Sequence, residues 1–210
     1  ARRAAEAIAV TYEVLEPVDD MARATEQPPL HPDGPTQGHG YRVDDRPNVV
    51  RSIVIRHGDP EAAGHVAVTG TYEVGIQDQA FLGPESGLAI PDGEGGVDIH
   101  VATQWLHVDR DQVAPCLGLE PEQVRVHLGG VGGAFGGRED LSIQVHAALL
   151  ALHTGRPVKM VYDREESFVG HVHRHPARMA YEHRATRDGR IVCVHASLLI
   201  DGGAYASSST

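Results

Sequence analysis

The stretch Gly129-Gly130-Val131-Gly132-Gly133-Ala134-Phe135-Gly136-Gly137-Arg138-Glu139-Asp140 constrains this chain more than any other. Six of the nine residues from 129 to 137 are glycine. Loss of side chains there permits positive φ and lets backbone N–H groups close around a ligand. The loop follows an alternating strand pattern (Val124, Val126, Leu128) and precedes a helical one, a setting that suits anions. It carries no G-x-G-x-x-G register. Gly132 and Gly137 have P-loop spacing, but Arg138-Glu139 replaces the Lys-Ser/Thr pair that such a loop needs. A plain strand-to-helix turn is the bland alternative, yet a flexible glycine tract does not usually enclose a Phe and end in an Arg-Glu pair.

Periodicity sets the rest of the frame. Ala1 to Ile8 has a helical pattern and Ile8 to Leu15 alternates as a strand. From Glu16 to about Ala62, dense prolines and glycines predict an extended connector, with a short strand at Val49 to Ile55. Strands are expected around Val66 to Tyr72, at Val97 to Val101, at Val124 to Leu128 and at Pro157 to Tyr162. Met179 to Arg187 and Arg190 to Ile200 form a hairpin over Asp188-Gly189. Asp109 to Leu117 reads as a short helix. A second helix is expected from Asp140, where Leu141, Val145, Ala148 and Leu152 share a face, and Gly155 and Pro157 stop it. The class is α+β, with short helices among mixed strands.

The formal net charge of −11 argues against a surface that tracks nucleic-acid phosphates. No apolar run has the roughly 18 residues of a membrane span. Cys116 and Cys193 form no Cys-x-x-Cys, so they offer neither a zinc knuckle nor an iron–sulfur site, and both read as buried small residues in a reducing cytoplasm.

Gly133-Ala134-Phe135-Gly136-Gly137-Arg138-Glu139 resembles the Gly-Gly-Phe-Gly-Gly-Lys-Glu signature of the xanthine dehydrogenase and aldehyde oxidase family. Gln77 to Glu85 resembles that family's Gln-x-x-x-x-Leu-Glu-Pro stretch, with Gly83 where glutamate is usual. Tyr162-Asp163-Arg164-Glu165-Glu166 and Arg174-His175-Pro176 resemble its Asp-Arg-Glu-Glu…Arg-His-Pro segment. Bacterial large subunits paired with separate partner chains resemble it best. The resemblance implies that residues 63–210 are the first half of a molybdenum-cofactor-binding domain. Residues 1–15 would be the tail of an α/β hammerhead domain, and 16–62 the connector.

It further implies hydroxylation of purines, hypoxanthine or xanthine to urate, with water as oxygen source. Electrons would pass through [2Fe–2S] and FAD, on an iron–sulfur subunit and a FAD subunit, to NAD. The metal would be held by the dithiolene of a molybdopterin-type cofactor rather than by side chains. Gln77, Gly133, Phe135, Gly136 and Arg138 are then the expected cofactor-facing residues, with backbone amides of Phe135 and Gly136 toward the metal's ligands. Glu139 and Arg174 are expected to face the substrate, their opposite charges suiting a purine edge. The family's glutamate base is expected beyond Thr210, in the remainder of the large subunit, so no catalytic residue is assigned within the chain. Aldehydes or other N-heterocycles as substrates, or a non-catalytic anion-binding module, are the alternatives. Taken singly, Glu139 suits a helix N-terminus, Phe135 a plug under the loop, and Gln77 or Arg174 an ordinary surface. On a strand, His171, His173 and His175 would share one face, as a zinc site requires; a solvated or packing role is the preferred reading.

Overall fold

A computed structural model describes residues 2–32 and 46–205. The chain divides into two units, Ala1–Ile55 and Arg56–Thr210. The first holds the short helix α1 (Arg2–Glu6) and, among the described residues, no strand. Asn48 organises it, its amide donating to Ala24 O at 2.8 Å and Pro28 O at 3.0 Å while its Oδ1 accepts from Leu30 N. The alternation from Ile8 to Leu15 therefore forms no strand, nor does Val49 to Ile55. Alternation marks a strand only where a neighbour takes the backbone hydrogen bonds, and Ile8 to Leu15 lie exposed without one.

The second unit holds all seven strands found among the described residues. β1 (Val66–Val74), β6 (Ala177–Ala185) and β7 (Ile191–Ile200) form an antiparallel sheet in the order β1-β6-β7, which leaves β7 on an edge. The β6–β7 connection turns at Asp188-Gly189 as expected, with Gly189 at φ 90° and Thr186 N bonded to Arg190 O.

The other sheet runs β4 (Val124–Leu128), β3 (Val97–Val101), β2 (Ser86–Pro91), β5 (Val158–Val161). β3 and β4 are parallel and joined through α2 (Leu106–Leu117), while β2 is antiparallel to both neighbours. Parallel register places Asp98 beside Arg125, whose guanidinium grips it with bonds of 2.9 and 2.8 Å. That grip and the His127 ring hold the Asp98 carboxyl well below the usual carboxylate range.

Ala89, Val97, Ile99, Val101 and Val124 of this sheet pack on Val113 and Ala114 of α2 and on Ala147, Ala148 and Ala151 of α3 (Gln144–Thr154). Alanine at three positions of α3 lets the helix lie close to the strands. β2 escapes the periodicity reading because Pro84, Gly87 and Pro91 look like breakers. Gly87 is instead tightly packed, since a Cβ there would sit 2.7 Å from the buried Ile143 Cδ1 and 3.1 Å from His100 O. α2 starts at Leu106 rather than Asp109, and α3 at Gln144 rather than Asp140. Gln144 Oε1 takes the Ser142 N–H at 2.7 Å, fixing the preceding residues in a non-helical turn. Gly118 and Gly155 close the two helices in the left-handed region, at φ 66° and 64°. Cys116 is exposed on α2, contrary to expectation, whereas Cys193 is buried. Among the described residues no helix is long and apolar enough to cross a membrane.

Asp109 lies fully buried in α2, accepting a 3.1 Å bond from Gln144 Nε2. Burial pushes its carboxyl above the usual aspartate value. A folded value above the unfolded one means that its contribution is full at low pH and fades as pH rises through the folded value. Asp109→Asn removes the charge and keeps an acceptor for Gln144. Urea denaturation at about pH 4 and pH 8 should show the variant gaining on the parent as pH rises; a constant difference would mean the carboxyl is ionised at no cost.

Candidate functional site

The glycine loop leaves β4 at its C-terminal end. Gly129 N–H still bonds to Val101 O at 2.9 Å, extending the β3–β4 pairing by one residue. Farther on, the chain turns tightly at Ala134 to Gly137, closed by Gly137 N–H to Ala134 O at 2.9 Å. Phe135 and Gly136 take positive φ of 54° and 88° in that turn, and Gly133 reaches 111°. A bulky residue at positive φ costs on the order of 1 kcal/mol and persists only where its surroundings impose it.

Gln104, just past β3, imposes it. Its backbone N–H donates to Arg138 O at 2.9 Å, and its Oε1 accepts from Gly136 N at 3.1 Å and Arg138 N at 3.3 Å. Its Nε2 lies 3.5 Å from Glu139 Oε1, and Thr103 Oγ1 adds a bond to Arg138 O. One glutamine thus holds the loop's backbone and its acidic residue together. Sequence reading missed Gln104, whose only signal is a Thr-Gln pair at the end of a buried strand. The amide of Gly136 points to Gln104 in this conformation.

Beneath the loop lies Phe81, 1% exposed, filling the plug position that was the bland alternative for Phe135, itself 78% exposed. The Arg138 guanidinium stacks 4.3 Å from the Phe81 ring centre, the His171 ring 5.2 Å from it. Arg138 also donates to the carbonyls of Gly83 and Ala102. Its side chain therefore faces inward rather than to the loop's open side. Burial lowers its pKa and the nearby Glu85 carboxylate opposes that.

The segment from Gln77 to Glu85 is fastened from several directions. Gln77 and Arg174 exchange backbone bonds, Arg174 N–H to Gln77 O at 2.9 Å and Gln77 N–H to Arg174 O at 3.4 Å. Arg164 donates to Phe81 O at 2.9 Å and Leu82 O at 2.7 Å from the first turn of α4 (Arg164–Gly170). That helix starts with a capping box, Asp163 Oδ1 accepting from Glu166 N and Glu166 Oε2 from Asp163 N. The Asp-Arg-Glu-Glu run is thus a helix start in which Arg164 reaches across to the neighbouring segment. A D-x-x-E cap followed by Phe168 was the overlooked signal for α4.

The structure thus brings Gln77 next to Arg174 along the backbone, and Gly136, Arg138 and Glu139 together around Gln104. His171 to His175 do not form a strand. The loop's surface has room for a ligand, since a Cβ at Gly130, Gly132 or Gly136 would meet nothing within 4 Å. The exposed side chains of Gln77 and Phe135 border solvent.

Two glycines of this loop should respond oppositely to alanine. A Cβ at Gly137 would fall 2.9 Å from Phe81 Cε1 and 3.2 Å from Ala134 O. Gly137→Ala should cost about 1–3 kcal/mol in urea unfolding, and Gly132→Ala less than about 0.5 kcal/mol. Equal costs would show that Phe81 does not set the loop's floor.

Comparison with known proteins agrees with this architecture. The family described as "Molybdopterin cofactor-binding domain" matches residues 42–210. The nicotinate dehydrogenase large molybdopterin subunit of Eubacterium barkeri is 38% identical over 98% of this chain and 47% of its own length. A probable xanthine dehydrogenase subunit of Bacillus subtilis (strain 168) is 32% identical over 99% of this chain and 27% of its own length. The chain therefore spans less than half of either relative. In fold, it superimposes on CO dehydrogenase from Oligotropha carboxidovorans with a TM-score of 0.74 at 24% identity, over 94% of this chain and 26% of that one. The chain belongs to the molybdopterin cofactor-binding domain family.

Proposed function

We propose that the chain forms part of a molybdenum hydroxylase that oxidises an electron-poor N-heterocycle, with purines (hypoxanthine or xanthine to urate) as the substrate class. The observation that carries this reading is the Gln77–Arg174 backbone bridge, which presents an exposed amide and an exposed guanidinium from neighbouring positions. When bound, the molybdenum cofactor supplies the two-electron oxidation with water as oxygen source.

The protein's own groups would act as follows. Gln77 donates its amide toward the metal's ligands. Gly133, Phe135 and Gly136 give an open, side-chain-poor surface against the cofactor. Release of the Gly136 N–H from Gln104 would be needed for that amide to serve a ligand. Arg138 supports the loop from below. Arg174 and Glu139 offer a cation and a carboxylate to the donor–acceptor edge of the ring, the cation also stabilising charge that develops on it. None of these is proposed as the base, which would lie outside residues 1–210, in the remainder of the large subunit. We further propose an iron–sulfur subunit and a FAD subunit as electron-transfer partners, with NAD as final acceptor and the cytoplasm as location. Residues 1–15 would belong to a hammerhead domain, 16–62 to a connector and 63–210 to the first cofactor-binding domain.

A second reading has its own support. The higher identity to the nicotinate dehydrogenase large subunit favours a pyridine carboxylate, whose anionic group Arg174 would pair equally well. Turnover of the full-length complex on xanthine, hypoxanthine, nicotinate and a simple aldehyde separates the readings. Preference for purines is expected; preference for nicotinate would establish the second reading, and preference for aldehydes would overturn both. In that complex Gln77→Ala should lower turnover about 10²–10³-fold and perturb the molybdenum spectrum; unchanged values would make Gln77 an ordinary surface residue. Glu139→Val with Arg174→Met should cut heterocycle turnover, read as a double-mutant cycle because one ligand couples the two positions. Unchanged heterocycle kinetics would sink their substrate role.

A further inference from the structure

Behind the Gln77–Arg174 bridge lies a second cluster of polar side chains. Asp78 follows Gln77 and His173 precedes Arg174, so the bridge brings them together, and His171 joins from the end of α4. One ligand-type atom from each of Asp78, His171 and His173 lies within 4.8 Å of the others. Asp78 Oδ2 is 3.3 Å from His171 Nε2 and 3.2 Å from His173 Nε2. Bonds of about 2.0–2.1 Å at the tetrahedral angle separate ligand atoms by about 3.4 Å, so these spacings match a zinc-type coordination shell.

The cluster's surroundings point the same way. Only 2% of the His171 side chain is exposed, and Asp78 Oδ2 is buried without a hydrogen bond. Acceptors face both nitrogens of the His171 ring. Ser167 O and, at 3.4 Å, Glu85 Oε1 face Nδ1; Asp78 Oδ2 and Gln79 Oε1, each at 3.3 Å, face Nε2. A neutral imidazole has one N–H and cannot serve both sides. With its Nδ1–H given to Ser167 O, a neutral ring turns the Nε2 lone pair toward Asp78 Oδ2, the place a cation would occupy. His173 lies stacked 5.0 Å away with its Nε2 facing both Asp78 and Phe168 O. Glu85 sharpens the point: its side chain is 4% exposed and neither carboxylate oxygen accepts a hydrogen bond. A carboxylate behind the outer nitrogen of a ligating histidine is the usual support of a metal site, because it fixes the tautomer.

We propose that Asp78, His171 and His173 bind a divalent, zinc-type cation, with Glu85 and Ser167 O orienting His171 and water completing the shell. Imidazole donors select zinc over magnesium or calcium. The cation would clip the Gln77 segment to the Arg174 segment from behind, a structural role distinct from molybdenum. The sequence pattern of three alternating histidines therefore carries a different set: His175 is outside it and Asp78 is inside.

The test uses the full-length protein in its complex, stripped by chelator, incubated with zinc sulfate and washed. About one equivalent of zinc per chain is expected in the parent and in His175→Asn, and at least tenfold weaker retention in Asp78→Asn and His173→Asn. Zinc K-edge absorption of the parent should show two imidazole nitrogens and oxygen at about 2.0 Å, a reading independent of how the variants fold. Molybdenum is assayed in the same samples, so zinc retained without molybdenum, or the reverse, separates this site from the cofactor reading. Absence of retained zinc, equal retention in the Asp78 and His173 variants, or a zinc shell lacking nitrogen would each overturn the proposal.

Discussion

The arrangement depends on the burial of one aromatic ring. Phe81 lies under the glycine loop, with the Arg138 guanidinium on one side and His171 on another. Its own carbonyl and that of Leu82 are gripped by Arg164, and that of Gly83 by Arg138. Stacking a planar cation on a ring away from water is worth up to about 2 kcal/mol. It also removes the cation from solvent, which is tolerable only because carbonyl oxygens take its N–H groups. Apolar contact and hydrogen bonding thus converge on one point, where the Gln77–Glu85 segment meets the loop.

That convergence explains the division of labour among the motif residues. Arg138, Arg164, Asp163 and Glu166 hold backbone, whereas Gln77, Phe135 and Arg174 remain exposed. A positioned site needs such support, since a displacement of about 1 Å can abolish productive geometry. Gln104 has the same supporting character. Its single carboxamide satisfies two backbone donors and reaches the carboxylate of Glu139, so the loop's shape and the placement of its acidic residue are set together.

How much of this was legible depended on the range of the interactions. β3, β4, β5, the hairpin and the loop between β4 and α3 followed from local alternation and from glycines at turns, because those signals lie within a few residues. The glycine motif and its neighbours likewise identified the family from sequence alone. β2 was hidden because its Gly87 answers to Ile143, far along the chain. Phe81, not Phe135, fills the space under the loop, because apolar character alone does not tell which of two rings is covered. Gln104 and the Asp78–His171 contact were illegible for the same reason: each joins residues at least 32 positions apart. The apparent strand at Ile8 to Leu15 shows the converse, a pattern of the right period without a partner to realise it.

The sheet formed by β1, β6 and β7 carries a separate implication. β7 is an edge strand of ten residues, Ile191 to Ile200, with no Lys, Arg, Asp, Glu or Pro in it. Val194, Leu198, Leu199 and Ile200 are exposed, and Leu198 and Leu199 lie on opposite faces. Natural edges are normally blunted by charge, proline or a bulge, because unpaired N–H and C=O groups beside apolar side chains recruit other strands. Beyond the register shift where it leaves the hairpin turn, β7 has none of these defences, so a strand left on the edge among the described residues would be a hazard during synthesis until something covers it. Timing would then matter as much as stability: the yield of native protein would depend on how soon that edge is shielded after it emerges, a kinetic burden independent of the site's chemistry.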